Sequence, residues 1–175
     1  LLGAGVAIAL CVPAYTAGPY PLAYRGWGDV CVLLFYGVIP VCLTYYVQAG
    51  TVTATTAWIS VALGLLSVNI LLVNNVRDQE QDAAAGKRTT VVRFGRRFGT
   101  TLYLVCAVLA VACSWPAYFY RGAYTWLLFL IFLAFELVTW HDLRRLSGSD
   151  LNRVLGLTAR NIWIYTLLLV SLLVF

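Results

Sequence analysis

The chain has 175 residues, of which 62% are hydrophobic and only 11% charged, with a formal charge of +5. A soluble domain holds about a quarter of its residues as charged ones, so this composition excludes a soluble globular protein and describes one that lives in lipid. Apolar segments recur to the last residue, which excludes a lone secretory signal peptide.

A membrane-spanning helix needs ~20 mostly apolar residues at a rise of 1.5 Å each. Residues 1–13 read as the end of one such helix, and the aromatic segment 14–29 follows. Five further runs then meet the length requirement: 30–48, 51–73, 98–119, 123–140 and 158–175. No repeat or linker divides them, so residues 1–175 read as a single domain, an all-α polytopic transmembrane bundle.

Short connections force successive helices to run antiparallel, so segments 14–29, 74–97 and 141–157 share one side of the membrane, and 49–50 and 120–122 share the other. The first side carries Arg25, Arg77, Lys87, Arg88, Arg93, Arg96, Arg97, Arg144, Arg145, Arg153 and the flanking Arg160, and the second carries Arg121 alone. Lys and Arg accumulate in cytoplasmic loops. The net charge therefore reports topology and implies no nucleic-acid partner. Trp27, Trp115, Trp126, Trp140, Tyr45, Tyr46, Tyr118 and Tyr120 lie mostly near predicted helix ends, as anchors at the headgroups should.

The charged stretch "LLVNNVRDQEQDAAAGKRTTVVRFGRR", residues 71–97, interrupts this apolar chain. If the helix starting at Thr51 continues past Val73, then Asn74, Asp78 and Asp82 recur every four residues along one face, with Asn75 beside them. Two carboxylates one turn apart repel unless a positive charge lies between them. Magnesium fits that place, because it takes hard oxygen ligands, commonly one or two carboxylates completed by water and phosphate oxygens. A diphosphate substrate follows. Arg77, Lys87, Arg88 and Arg93 have two readings, as donors to the phosphate oxygens or as topological charge alone. Topology asks for no acids at this place, so Asp78 and Asp82 need a chemical reason. "GKRT" is not a phosphate-binding P-loop, since Gln81 stands where that motif needs Gly and Arg88 where it needs Ser or Thr.

Other polar residues are less specific. Cys11, Cys31, Cys42, Cys106 and Cys113 lie in apolar runs without metal-ligand spacing and read as free thiols. His141 reads as interfacial. Glu136 is an acid within an apolar run, either a functional group or a partner of Arg144 or Arg145 near the interface. Gly5, Gly37 and Gly64 suit close helix packing, with room for a cavity as the alternative.

The segment "NNVRDQEQD" followed by "AAAGKRTTVVRFG" resembles the second aspartate-rich motif of the UbiA-type intramembrane prenyltransferases. It is most similar to their 1,4-dihydroxy-2-naphthoate polyprenyltransferase branch, and "YTAGPYPLAYRGWGDV" and "TYYVQAG" resemble that branch as well. The resemblance implies nine transmembrane helices around a cavity, of which the five runs would be the last five. It also implies a magnesium-dependent transfer of a polyprenyl group from polyprenyl diphosphate to an aromatic acceptor, dihydroxynaphthoate or another such as 4-hydroxybenzoate. By resemblance, Asp78 and Asp82 hold the metal and are catalytic, while Asn74, Asn75, Arg77, Lys87 and Arg88 bind substrate. Tyr15, Tyr20 or Tyr24 would replace the tyrosine of a Y-x-x-x-K/R pattern that this sequence lacks, with Tyr15 placed among the substrate-binding residues. The expected setting is a bacterial inner membrane with the site facing the cytoplasm. The family's first aspartate-rich motif has no counterpart in these residues, so the resemblance implies an N-terminally truncated chain that is inactive alone. The competing readings are a cation transporter using Asp78 and Asp82 and a non-catalytic membrane subunit.

The charge asymmetry gives a direct expectation. In the full-length protein, Ala84→Cys should react with a membrane-impermeant maleimide only from the cytoplasmic face, and Gly122→Cys only from outside. Labelling of position 84 from outside sealed cells would invert the topology.

Overall fold

The computed structural model describes residues 21–122 and 125–174, together with residues 3, 5 and 9. The described residues are helical with short connections. Among the described residues five helices are long and apolar enough to cross a membrane, as the five runs predict. Helix α1 (Gly28–Ala49) contains a π-helical turn, Leu34–Val38. It is followed by α2 (Ala54–Arg77), two short helices α3 (Gln79–Ala84) and α4 (Thr90–Phe94), and then α5 (Arg96–Cys113). Helix α6 (Trp115–Arg121) extends α5, and α7 (Thr125–Arg145) and α8 (Leu151–Val174) complete the order.

Several helices outrun their apolar stretches. Helix α2 continues past residue 73 to Arg77, α7 past residue 140 to Arg145, and α8 begins at Leu151 rather than 158. Apolarity marks only the part immersed in hydrocarbon, whereas the backbone stays helical into the headgroup layer because stopping earlier would leave N–H and C=O groups unpaired near lipid. The α1–α2 connection shows ordinary punctuation. Gly50 ends α1 in a left-handed conformation (φ 70°), donating to the Tyr46 carbonyl at 2.8 Å. Thr53 then caps α2 by accepting from the Thr56 amide at 3.1 Å.

Helix α2 is the centre of the bundle and packs against α1, α5 and α8. Its closest approach is to α1, where Gly37 meets Gly64. A Cβ on Gly37 would lie 2.2 Å from the Gly64 Cα and 2.8 Å from the Ser60 carbonyl oxygen. Two apolar clusters fill the interior. One joins Leu66, Ala110, Phe129, Phe132 and Tyr165, and the other, nearer the charged end, joins Leu72, Val76, Tyr103, Leu143 and Val154.

A polar seam crosses the interior between α5, α7 and α8. The Tyr103 and Thr158 hydroxyls pair at 3.1 Å, and the Asn161 amide donates to the Thr139 hydroxyl at 3.0 Å. Glu136 is fully buried beside Tyr103 and Asn161. The arginines considered for it from sequence are occupied elsewhere, Arg144 over the Trp140 ring at 4.7 Å and Arg145 on the exposed His141 at 3.1 Å. Cys31, Cys42, Cys106 and Cys113 are in no disulfide among the described residues, while Cys11 lies outside the described residues.

The segments expected on one side do meet at one end. Arg77 Nη1 donates to Asn152 Oδ1 at 2.7 Å, Arg96 Nη2 to the carbonyls of Leu143 and Leu146, and the Arg88 amide to the Tyr24 carbonyl at 2.8 Å. At the opposite end the Trp58 and Trp115 rings stand edge to face at 6.5 Å, and Arg121 Nε donates to the Leu172 carbonyl.

The Gly37–Gly64 approach leaves backbone, which no rotamer change can relieve, in the path of any side chain. Gly37→Ala should therefore destabilise the full-length protein by about 1–3 kcal/mol or more, read as a lower unfolding temperature in detergent. Gly50→Asn, at a left-handed position that Asn tolerates and with nothing within 4 Å of its Cβ, should cost much less.

Candidate functional site

The charged end contains a cavity of about 280 Å³. Its lining comes from the turn before α1 (Ala23, Tyr24, Gly26), the start of α1 (Gly28, Asp29), the end of α2 (Leu71, Asn75), Asp82 of α3, and Lys87, Thr89 and Thr90. Three separate stretches of sequence thus converge on one space.

The turn Leu22–Arg25 brings Tyr24 to the cavity and closes at Gly26, whose left-handed backbone (φ 85°) donates to the Leu22 carbonyl. A side chain at Gly26 would come within 2.8 Å of the Arg88 carbonyl oxygen, so glycine serves both the turn and its docking against the 87–93 segment. Beyond α3 the chain reverses at Gly86, and the Lys87 amide donates to the Asp82 carbonyl at 2.9 Å. This reversal sets Lys87 Nζ 2.7 Å from Asp82 Oδ1 and 5.7 Å from the centre of the Tyr24 ring. The hydrogen bond to Asp82 holds the Lys87 ammonium above its ordinary pKa. Thr89 caps α4 by accepting from the Val92 amide, which aims the next residue, Thr90, so that its hydroxyl donates to Asp29 Oδ2.

The residues singled out from sequence separate here. Asn75 and Asp82 are buried and line the cavity, and Lys87 joins them. Asp78 does not line it. Helix α2 ends at Arg77 and Asp78 leaves helical geometry (φ −99°, ψ 12°), so the continuous helix through Asp82 considered from sequence is interrupted there. The hydrogen-bond ladder still steps across the break, from the Asp78 amide to the Asn74 carbonyl and from the Asp82 amide to the Asp78 carbonyl, both at 2.8 Å. What separates the two acids is Arg77, whose Nε and Nη2 hold both oxygens of Asp78 at 2.7 and 2.8 Å. Those bonds lower the Asp78 pKa below the usual carboxylate range. Asn74 contributes its carbonyl to the ladder and does not line the cavity, and Arg88 is exposed. Tyr15 and Tyr20 lie outside the described residues. Among the described residues no group of three or more His, Cys, Asp or Glu side chains converges in metal-binding fashion.

Asp29 is the cavity group that sequence reasoning missed. A single acid in "GWGDV" at the start of an apolar run gives no signal by itself, and its partner Thr90 is 61 positions away.

The pattern of the UbiA prenyltransferase family matches residues 1–167. The chain is similar to the 1,4-dihydroxy-2-naphthoate octaprenyltransferase of Haemophilus influenzae, 35% identical over 139 residues that cover 79% of this chain and 45% of that protein. It is also similar to the Escherichia coli protein of that name, at 40% identity over 54% of this chain and 33% of the relative. A third relative is the 2-carboxy-1,4-naphthoquinone phytyltransferase of Synechocystis, at 30% identity over 73% of this chain and 44% of that protein. The chain spans less than half the length of each of these relatives. No solved structure matches it.

The Arg77–Asp78 pair predicts a pH effect whose sign is fixed. Because the folded pKa of Asp78 is depressed, the pair contributes stability that is present above the ordinary carboxylate value of 3.8 and is lost as the pH falls through the folded value. Melting curves of wild type and Asp78→Asn in detergent should differ near neutrality, with wild type higher, and converge as the pH falls below the depressed folded value. The gap should be small, since the Asp78 side chain is 32% exposed.

Proposed function

This chain belongs to the UbiA prenyltransferase family, and from that premise we propose that it forms part of an integral-membrane aromatic prenyltransferase. In this reading the enzyme transfers a polyprenyl group from polyprenyl diphosphate to 1,4-dihydroxy-2-naphthoate, giving demethylmenaquinol, the reduced form of demethylmenaquinone, for quinone biosynthesis. The observation that carries it is the meeting of Asn75, Asp82 and Lys87 in one cavity at the charged end of an apolar bundle. The relatives' names supply the acceptor class.

The cavity chemistry suits the departure of diphosphate. Lys87 is a cation held in place by Asp82 and aimed into the cavity, able to donate to a phosphate oxygen as charge develops on it. Asn75, buried at the end of α2, offers both a donor and an acceptor at the same mouth. Asp82 and the Asn75 carbonyl are hard oxygen donors, and magnesium needs only one or two carboxylates when phosphate oxygens and water complete its shell. The donor set therefore fits that ion, with Asp82 as the ligand in the cavity and Asp78 available only on leaving Arg77. When bound, the ion would neutralise charge on the leaving diphosphate.

The reaction is an electrophilic aromatic substitution. The allylic C–O bond breaks, diphosphate leaves with the electron pair, and the ring carbon bearing the carboxylate attacks the allylic carbon. Carbon dioxide then leaves and its bonding electrons restore the aromatic ring. The surrounding apolar helices keep water from the cation. The Lys and Arg counts support a cytoplasmic position for the charged end, and with it for the diphosphate, and the bacterial relatives support an inner-membrane setting.

The test is turnover by the full-length protein in membranes supplied with polyprenyl diphosphate, dihydroxynaphthoate and magnesium. Asp82→Ala should lower kcat about 100-fold or more with insertion and melting temperature preserved. Wild-type protein that transfers no prenyl group, or an Asp82→Ala variant with wild-type turnover, would overturn the reading.

A further inference from the structure

One acid in the cavity is left unused by the chemistry of diphosphate departure. Asp29 lies in the first turn of α1, with Oδ2 accepting from the Thr90 hydroxyl. Its other oxygen, Oδ1, is shut away from solvent and has no hydrogen-bond partner among the described residues. An acid in the first turn of a helix ordinarily serves the helix dipole from the solvent side. Asp29 differs, because one of its oxygens is closed off and it lines the same cavity as Asp82 and Lys87. A carboxylate oxygen removed from water without a donor is costly, and a ligand bringing a donor removes that cost.

Two kinds of ligand could do so, a metal cation or a hydroxyl. In the reading above the cation is taken by Asp82 with phosphate oxygens and water, and Lys87 stands at that carboxylate, 2.7 Å from Asp82 Oδ1, which leaves a hydroxyl as the donor for Asp29. The remaining lining favours a flat, partly apolar molecule: Leu71 and Ala23 are apolar, Gly26 and Gly28 present bare backbone, and Tyr24 offers a ring. On the prenyltransferase reading above, we infer that Asp29, braced by Thr90, binds a ring hydroxyl of the aromatic acceptor through Oδ1. Thr90 fixes the carboxylate by holding Oδ2, which leaves Oδ1 as the unpartnered oxygen, one that the acceptor hydroxyl reaches only by displacing what closes it off from solvent. A hydroxyl donating to a carboxylate makes a short, charge-assisted bond. The bond leaves partial negative charge on the phenolic oxygen, which conjugates into the ring and raises the nucleophilicity of the carbon that attacks the allylic centre. Asp29 thus both orients the acceptor and activates it, while the proton stays on the hydroxyl.

The test uses full-length protein in nanodiscs, with dihydroxynaphthoate and its monomethyl ethers as probes. Binding is measured by calorimetry without prenyl diphosphate, and KM is measured for each substrate. Asp29→Asn, which keeps the shape and removes the charge, should weaken dihydroxynaphthoate binding about tenfold or more and leave the KM for prenyl diphosphate and the magnesium requirement within about twofold. Wild type should reject one methyl ether by a similar factor, and Asp29→Asn should lose that discrimination. Thr90→Val should shift acceptor binding in the same direction by less, and it serves if Asp29→Asn does not fold. Unchanged acceptor binding in a folded Asp29→Asn variant overturns the inference, as does a raised magnesium requirement with acceptor binding intact. Wild-type protein without prenyl transfer would overturn the function itself, whereas these outcomes in an active enzyme overturn the role of Asp29 alone.

Discussion

The contact between Gly37 and Gly64 sets the position of everything at the charged end. It is a backbone-to-backbone approach within the bundle, and in lipid such close packing replaces the hydrophobic drive that joins helices in water. Asp29 lies eight residues before Gly37 on α1, and Asn75 eleven residues after Gly64 on α2. At 1.5 Å per residue these are arms of about 12 and 16 Å running from a common pivot. A small change in spacing or crossing angle at the glycines would therefore be magnified at the cavity, where Asp29 and Asn75 must face one space.

The second constraint is electrostatic. The interior is largely apolar, its polar groups including a seam of hydroxyls and amides with the buried Glu136 and Asn69, and most of the charge collects at one end, where arginines have carbonyls and acids to bind. Arg96 ties α5 to the end of α7, and Arg77 ties the end of α2 to α8 through Asn152. The same Arg77 occupies Asp78, while the reversal at Gly86 brings Lys87 to Asp82. Two acids of equal standing in the sequence thus acquire different surroundings, one bound outside the cavity and one lining it.

Much of this was legible in the residues. The five spans follow from apolar run length, and the meeting of three charged segments at one end follows from short loops and the position of each Lys and Arg. Gly37 and Gly64 stood out as small residues inside apolar helices, and their packing role is what the structure shows. Helix ends were less legible because hydropathy senses the hydrocarbon layer, whereas the backbone bonds that define α7 and α8 continue beyond it. The distinction between Asp78 and Asp82 was hidden, since it depends on Arg77 turning toward its neighbour. Asp29 was hidden for a related reason: its meaning comes from Thr90, brought to it only by the folded chain. Glu136 was noticed, but its surroundings of Tyr103 and Asn161 belong to two other helices that no local pattern connects.

The π turn at Leu34–Val38 has a consequence for how this segment can vary. A π turn bonds i to i+5 in place of i+4, so it accommodates one residue more than an α-helix would over the same stretch. In a helix of 3.6 residues per turn, one residue is worth about 100° of rotation about the axis. The turn therefore acts as a phase shift between the two ends of α1, letting Gly37 face α2 while Asp29, one end away, faces Thr90. Gly37 is held by its contact with Gly64, but the side chains at 34, 35, 36 and 38 can change without disturbing that relation, whereas losing a single residue would turn the acid by about a quarter of a circle from its hydroxyl. Apart from Gly37, the length of this stretch, more than its composition, is what must be inherited.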